Sequence, residues 1–144
     1  MRSLFRKSFK FTLLLAMLTA VQVAHAEVVV IVSARSSVAS LTDEQTAKIF
    51  LGKVTTFPNG QPAYPIDQPQ GNAIRDEFYS KVTHKDSSQV AAYWAKIIFT
   101  GEGRPPKLII GDKAVVKIIA DNPSAIGYVD RSALNRTVRV VLEP

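Results

Sequence analysis

Residues 27–33, EVVVIVS, form a continuous β-branched run without alternation, the pattern of a strand buried on both faces in the middle of an α/β sheet. A polar loop follows over residues 34–40. Thr42-Asp43-Glu44-Gln45 then reads as a capping box, with Thr42 as helix cap and Gln45 reaching back. Ala47, Ile49, Phe50 and Leu51 give this helix its apolar side, and Gly52 supplies a stop. Pro58-Asn59-Gly60 is a turn, and residues 63–67 a short strand in which Pro65 suggests an edge or irregular position. After a loop over residues 68–71, Asn72 caps a helix with Ile74, Phe78 and Val82 on one face. Residues 86–99 form a further helix with a stripe of Val90, Tyr93, Trp94, Ile97 and Ile98.

Residues 101–106 end that helix, and residues 107–110 look like a strand. Asp112 is placed to cap a helix bearing Val115, Ile118 and Ile119, which Asn122-Pro123 stops. Strands at 126–129 and 137–142, with a helical turn near 131–134 between them, complete the pattern. Alternation of strands and helices predicts an α/β domain with a mixed, mostly parallel sheet of about five strands flanked by helices. Neither a repeat nor a linker divides it.

The amino terminus differs in kind. Arg2, Arg6, Lys7 and Lys10 precede an apolar stretch at residues 11–23, which closes on Ala24-His25-Ala26. These are the parts of a secretory signal peptide. The apolar run falls short of the roughly 20 residues that span a bilayer, so we expect residues 1–26 to be a leader and residues 27–144 the exported domain. This division changes the meaning of the charge. The whole chain carries +6, but the leader takes four basic residues and no acid. The remainder stands at +2 with its charges scattered, which removes the case for nucleic acid. The sequence contains no cysteine, so disulfides, thiolate metal sites and cysteine nucleophiles are excluded, and two histidines do not make a histidine-rich metal site.

Ligands of open α/β sheets bind beyond the carboxyl ends of strands, which directs attention to two loops. Residues 33–40 offer Ser36, Ser37 and Arg35. Residues 68–72 open a helix, where Gly71 leaves backbone N–H groups free to face an anion and the helix dipole favours negative charge. Arg35 and Arg75 stand near enough in sequence to add charge-assisted bonds. The same residues also read as a turn and cap at Gly71-Asn72, a solvated loop at Ser36 and Ser37, and a surface ion pair at Arg75; Asp76 and Glu77 in the first turn oppose an anion. Gly101-x-Gly103 lacks the rest of a dinucleotide or phosphate-loop fingerprint. His84 reads as an exposed residue between helices, and no cofactor or catalytic motif emerges.

Three segments together carry a resemblance. Leu41-Thr42-Asp43-Glu44-Gln45 with Ile49-Phe50-Leu51-Gly52-Lys53 resembles the "LT-x-x-Q…IFLGK" stretch of bacterial phosphate-binding proteins, the periplasmic subunits of phosphate ABC transporters. Asn122-Pro123-Ser124-Ala125-Ile126-Gly127-Tyr128-Val129 is similar to their "xPGAIGYV" strand. Asp67-Gln68-Pro69-Gln70-Gly71-Asn72 falls where the family carries an Arg-x-Asp-Gly-Ser-Gly-Thr loop around phosphate. The resemblance implies a single lobe of the periplasmic-binding-protein fold and capture of phosphate or a related small oxyanion for an inner-membrane transporter. It places Gln68 or Asp67, according to the alignment, with Gly71, Asn72 and Ala73 at the anion, and Ser36, Ser37 and Arg75 complete the candidate set. The loop lacks the family's arginine and its Ser-Gly-Thr, and 118 residues are short for two lobes. The other expectation is therefore an interaction or regulatory module on a lobe that no longer binds solute. Its 33–40 and 68–72 loops would then meet a partner or a second copy.

Overall fold

The computed structural model describes residues 26–144; the expected leader lies outside them except for its last residue. Ten elements follow one another: β1 (Val28–Ser33), α1 (Asp43–Phe50), β2 (Tyr64–Asp67), α2 (Ala73–Thr83), α3 (Ser87–Thr100), β3 (Lys107–Leu108), α4 (Asp112–Asp121), β4 (Ala125–Asp130), a 3-10 turn (Arg131–Ala133) and β5 (Val138–Leu142). The five strands form one sheet in the order β3-β2-β4-β1-β5. β2 is parallel to both β3 and β4, whereas β1 is antiparallel to both β4 and β5. Four strands thus share one direction and β1 alone opposes it. The sheet is mixed, with half of its neighbour pairings parallel.

The unbroken apolar run of β1 follows from its central place, since all six of its residues are buried. Alternate side chains serve different layers. Val28, Val30 and Val32 pack with Ile49 and Phe50 of α1, Phe78 of α2, and Val90 and Trp94 of α3. Val29 and Ile31 face the other side, with Val115, Val116 and Ile119 of α4. β4 divides in the same way: Ile126 and Tyr128 face the three-helix layer, Ala125 and Val129 face α4. Between the latter two, Gly127 lets α4 lie close, for a Cβ there would stand 3.1 Å from Ile119 Cδ1 and 3.2 Å from Val115 Cγ1.

Local signals are realised at the helix starts. Thr42 and Gln45 form the capping box of α1, Asp86 and Gln89 form another on α3, and Asn72 accepts from the Ile74 N–H at α2. Three expectations need correction, and a fourth, at Pro65, is refined. Asp112 does not cap α4; Gly111 holds the cap position, and the Asp112 carboxylate is engaged elsewhere. Ile98 is exposed, because α3 packs through Val90 and Trp94 and turns the next residue outward. The predicted 107–110 strand contracts to Lys107–Leu108. Pro65 lies in a strand that is inner in the sheet order, but its own β3 side is unpaired. Tyr64 N–H donates to Ser124 beside β4, so the alternation of a strand turns the Pro65 nitrogen toward the β3 side. There pairing starts only at Ile66, and no donor is needed.

The close approach at Gly127 gives a test. Gly127→Val should destabilise the domain by about 1–3 kcal/mol through overpacking against α4, read as a lower midpoint in urea unfolding.

Candidate functional site

The C-terminal ends of β2 and β4 meet the N-termini of α2 and α4, and a buried acid lies between them. Asp67, the last residue of β2, is 2% exposed. Its Oδ1 accepts from the Gln68 N–H at 2.8 Å and, through a short contact, from the Tyr128 hydroxyl; its Oδ2 accepts from the Tyr79 hydroxyl at 2.7 Å. A carboxylate removed from water is tolerable only with such donors. Burial pushes the pKa of both hydroxyls up from its usual value, and the adjacent Asp67 charge pushes it further, so both keep their protons. Tyr128 is held in place by Phe78, stacked on it at 4.2 Å between ring centroids.

Arg75 enters from the first turn of α2. It is buried, with its guanidinium 4.9 Å from the Tyr79 ring centre and its Nε 3.5 Å from Asp67 Oδ1. Among the described residues, Nε finds no acceptor, and no hydrogen bond reaches the two terminal nitrogens. The ion pair expected at the surface for Arg75 is therefore a buried one, made through Nε to Asp67, and the two terminal nitrogens of the guanidinium form no hydrogen bond among the described residues. The backbone N–H groups of Ala73 and Arg75 likewise have no acceptor among the described residues, as expected of a helix start. Gly71, at φ 90°, and Ala73 are exposed at this end.

The other expected ligands have internal occupations. Gln68 is fully buried, donates from Nε2 to Asp112 Oδ1 and to the Tyr128 carbonyl, both at 2.9 Å, and accepts from Asn72 Nδ2 at 2.9 Å. Asn72 Oδ1 caps α2. These two side chains brace the loop, and Asp112 extends the brace by accepting from the Asp130 N–H at 3.0 Å. Of the opposing acids, Glu77 is paired with Lys81 at 2.9 Å, while Asp76 is exposed.

Ser36 and Ser37 are not brought to this place. Because β1 runs against β2 and β4, its carboxyl end lies where theirs begin, so loop 33–40 sits at the opposite end of the sheet. α4 spans the interval, about 15 Å for ten residues at about 1.5 Å each. Gln68 touches its first residue, whereas Ser33 and Arg35 donate to the Ala120 carbonyl near its last. Arg35 serves the C-terminus of α4. Ser36 Oγ accepts from the Val38 N–H and Ser37 Oγ from Asn59. The two loops cannot form one ligand site, nor one docking face. Sequence reading passed over Tyr79 and Tyr128 as partners of Asp67; the available signal was a tyrosine at a core position, whose hydroxyl must find a partner. Among the described residues no cluster of three His, Cys, Asp or Glu is placed to hold a metal ion.

The raised tyrosines set an alkaline limit. In the unfolded chain they ionise near about pH 10; in the fold they keep their protons above that. The native state then binds more protons, so stability is fully present below about pH 10 and falls as pH rises beyond it. Each hydroxyl contributes a slope of about 1.4 kcal/mol per pH unit. Tyr79→Phe should remove one such slope in urea titrations between neutral and alkaline pH, while lowering stability at pH 7 by about 1–3 kcal/mol because Asp67 Oδ2 loses its donor.

No protein-family model and no curated protein sequence matches the chain. Solved structures do. A Clostridium perfringens protein described as a phosphate ABC transporter substrate-binding protein, with phosphate bound, superposes with a TM-score of 0.65 at 21% identity, over 81% of this chain and 44% of its own. An ABC-type phosphate transport receptor from Vibrio cholerae gives 0.63 at 14%, over 81% and 45%. PstS from Borrelia burgdorferi gives 0.57 at 15%, over 81% and 46%. The chain spans less than half the length of these structures. With β1 reversed between two parallel neighbours and helices on both faces, the described residues have the fold of a single lobe of a periplasmic binding protein.

Proposed function

We propose that this chain is an exported solute-binding protein that captures phosphate or a related small oxyanion at the carboxyl end of β2, for an inner-membrane transporter. The observation that carries the reading is Arg75: a buried guanidinium with an unused fork, beside the free N–H groups that open α2. Such a fork matches the oxygens of an oxyanion, and the helix start adds partial positive charge. Gly71 and Ala73 supply exposed backbone at the same end, while Gln68 and Asn72 act by bracing the loop. The phosphate receptors of the same fold support the choice of ligand. The chemistry is binding, and no residue is assigned to catalysis.

Residues 1–26 fit this reading as an export signal. Among the described residues no helix is long and apolar enough to cross a membrane. Protein recovered from the periplasm should begin at Glu27, as read by N-terminal sequencing.

Ligand capture is tested by thermal melting with an anion panel. Phosphate at a hundred times its dissociation constant stabilises by about 2.7 kcal/mol, which raises the melting temperature by on the order of 10 °C. Arg75→Gln should abolish the shift, and joint replacement of Gly71 and Asn72 should diminish it. No shift with phosphate, sulfate, arsenate, molybdate or polyphosphate would exclude solute capture.

A second reading draws on exposed apolar residues. Phe99 is 92% exposed and Ile110 82%, with Ile98 and Leu108 nearby in sequence. An association surface at the end of α3 and along β3 would account for them. Sedimentation of the purified protein distinguishes the two: an anion-independent dimer, lost in Phe99→Ser, supports association, and a monomer stabilised by phosphate supports capture.

A further inference from the structure

The large hydrophobic side chains exposed among the described residues are concentrated in one stretch of chain. Of the six, Ile98, Phe99, Leu108 and Ile110 fall within residues 98–110, at the end of α3, and along and just beyond β3. These parts form one rim of the domain. β3 is an outer strand of the sheet, and the Ile109 N–H donates to the Asp67 carbonyl at 2.9 Å, so Ile110 continues the same edge. The loop before β3 turns back along the last turn of α3, since a Cβ on Gly103 would stand 3.3 Å from Ile97 Cγ2. Phe99, in that last turn, is 92% exposed, a ring standing clear of its own surface.

The charges of the rim have one prevailing sign. Lys96 stands three residues before Phe99 and so beside it on the helix. Lys96, Arg104 and Lys107 are all exposed, and none forms an ion pair among the described residues. Arg104 and Lys107 line one groove with the half-exposed Tyr64. Glu102 is the one acid within residues 96–110.

We propose that this rim docks on an anionic lipid surface, with Phe99, Leu108 and Ile110 entering the boundary of the hydrocarbon and Lys96, Arg104 and Lys107 meeting the headgroup phosphates. Apolar insertion and attraction of basic residues to anionic lipid are the two contributions that together hold a protein on a bilayer. A tyrosine such as Tyr64 suits the headgroup level, where its ring and its hydroxyl find different surroundings. The charge argues against a second copy as the occupant, because two such rims would bring cation against cation. An added strand from another chain is no better placed, since β3 has two residues and Pro105-Pro106 before it offer no N–H groups. A ring as exposed as Phe99 enters a fluid layer that moulds to it, whereas a folded partner must present a matching pocket. The rim does not include Arg75, and the inference stands apart from anion capture.

Co-sedimentation with lipid vesicles tests it. Vesicles of phosphatidylglycerol and phosphatidylcholine in equal parts should carry the purified protein down, and vesicles of phosphatidylcholine alone should bind it far less. Binding should weaken as salt rises and screens the cations. Each cation near such a surface is worth about fivefold, or ~1 kcal/mol, so Arg104→Gln together with Lys107→Gln should weaken binding by about thirtyfold. Phe99→Ser should weaken it at high salt as well as low. These positions are exposed, and an unchanged midpoint in urea verifies that the variants fold. Arg75→Gln should bind the vesicles as the unaltered protein does, so loss of anion capture and loss of docking are read separately. Protein left in the supernatant with phosphatidylglycerol vesicles at low salt would overturn the proposal. So would equal binding to phosphatidylcholine alone, binding that the Arg104 and Lys107 replacements leave unchanged, or a lipid-independent dimer that Phe99→Ser dissociates.

Discussion

A negative charge in the core has to be met on every side, and the arrangement of this domain around Asp67 follows from that demand. The donors come from separate parts of the chain: the amide of Gln68, the hydroxyl of Tyr79 on α2, and that of Tyr128 on β4. Each can reach only if α2 lies against the end of β2 and if β4 pairs with β2 in one register. Arg75 then falls beside the same carboxylate by its place in α2, four residues before Tyr79, where helix geometry stacks the two. Asp67 thereby orients the cation that carries the functional reading without consuming its hydrogen bonds.

The direction of β1 has equal weight for function. Had it run with its neighbours, loop 33–40 would have opened beside loop 68–72, and Ser36 and Arg35 would stand with Arg75. Reversed, it delivers Arg35 and Ser33 to the C-terminus of α4, where they serve packing. The carboxyl end of β2 is left with the buried Arg75, two helix starts and a braced loop.

What the sequence made legible was local. Thr42 and Gln45 encode the start of α1 within four residues, and the valine run of β1 encodes burial on both faces. Strand direction has no such local code, since the same run serves a parallel or an antiparallel neighbour; hence the two candidate loops were joined in expectation and separated in space. The acid cluster escaped for a related reason. Asp67 and Tyr128 stand 61 positions apart, and Tyr128 sits in an apolar segment where its ring alone accounts for its place. Arg75 was singled out by its position at a helix start, but its burial depended on Tyr79 and Asp67 closing around it. Gln68 and Asn72 were found as polar loop residues, and only their mutual hydrogen bond reveals that they hold the loop together.

The sheet ends, on the α3 side, in a strand of two residues, Lys107–Leu108, preceded by Pro105-Pro106. A free edge is a template on which other chains add strands and grow into fibrils. Here the template is too short to hold a register, its first residue carries a charge, and the prolines before it offer no N–H groups. The exposed Leu108 and Ile110 can therefore meet another surface through their side chains, while the main chain gives no ladder to extend. The domain displays apolar residues at its rim without exposing itself to β-aggregation there.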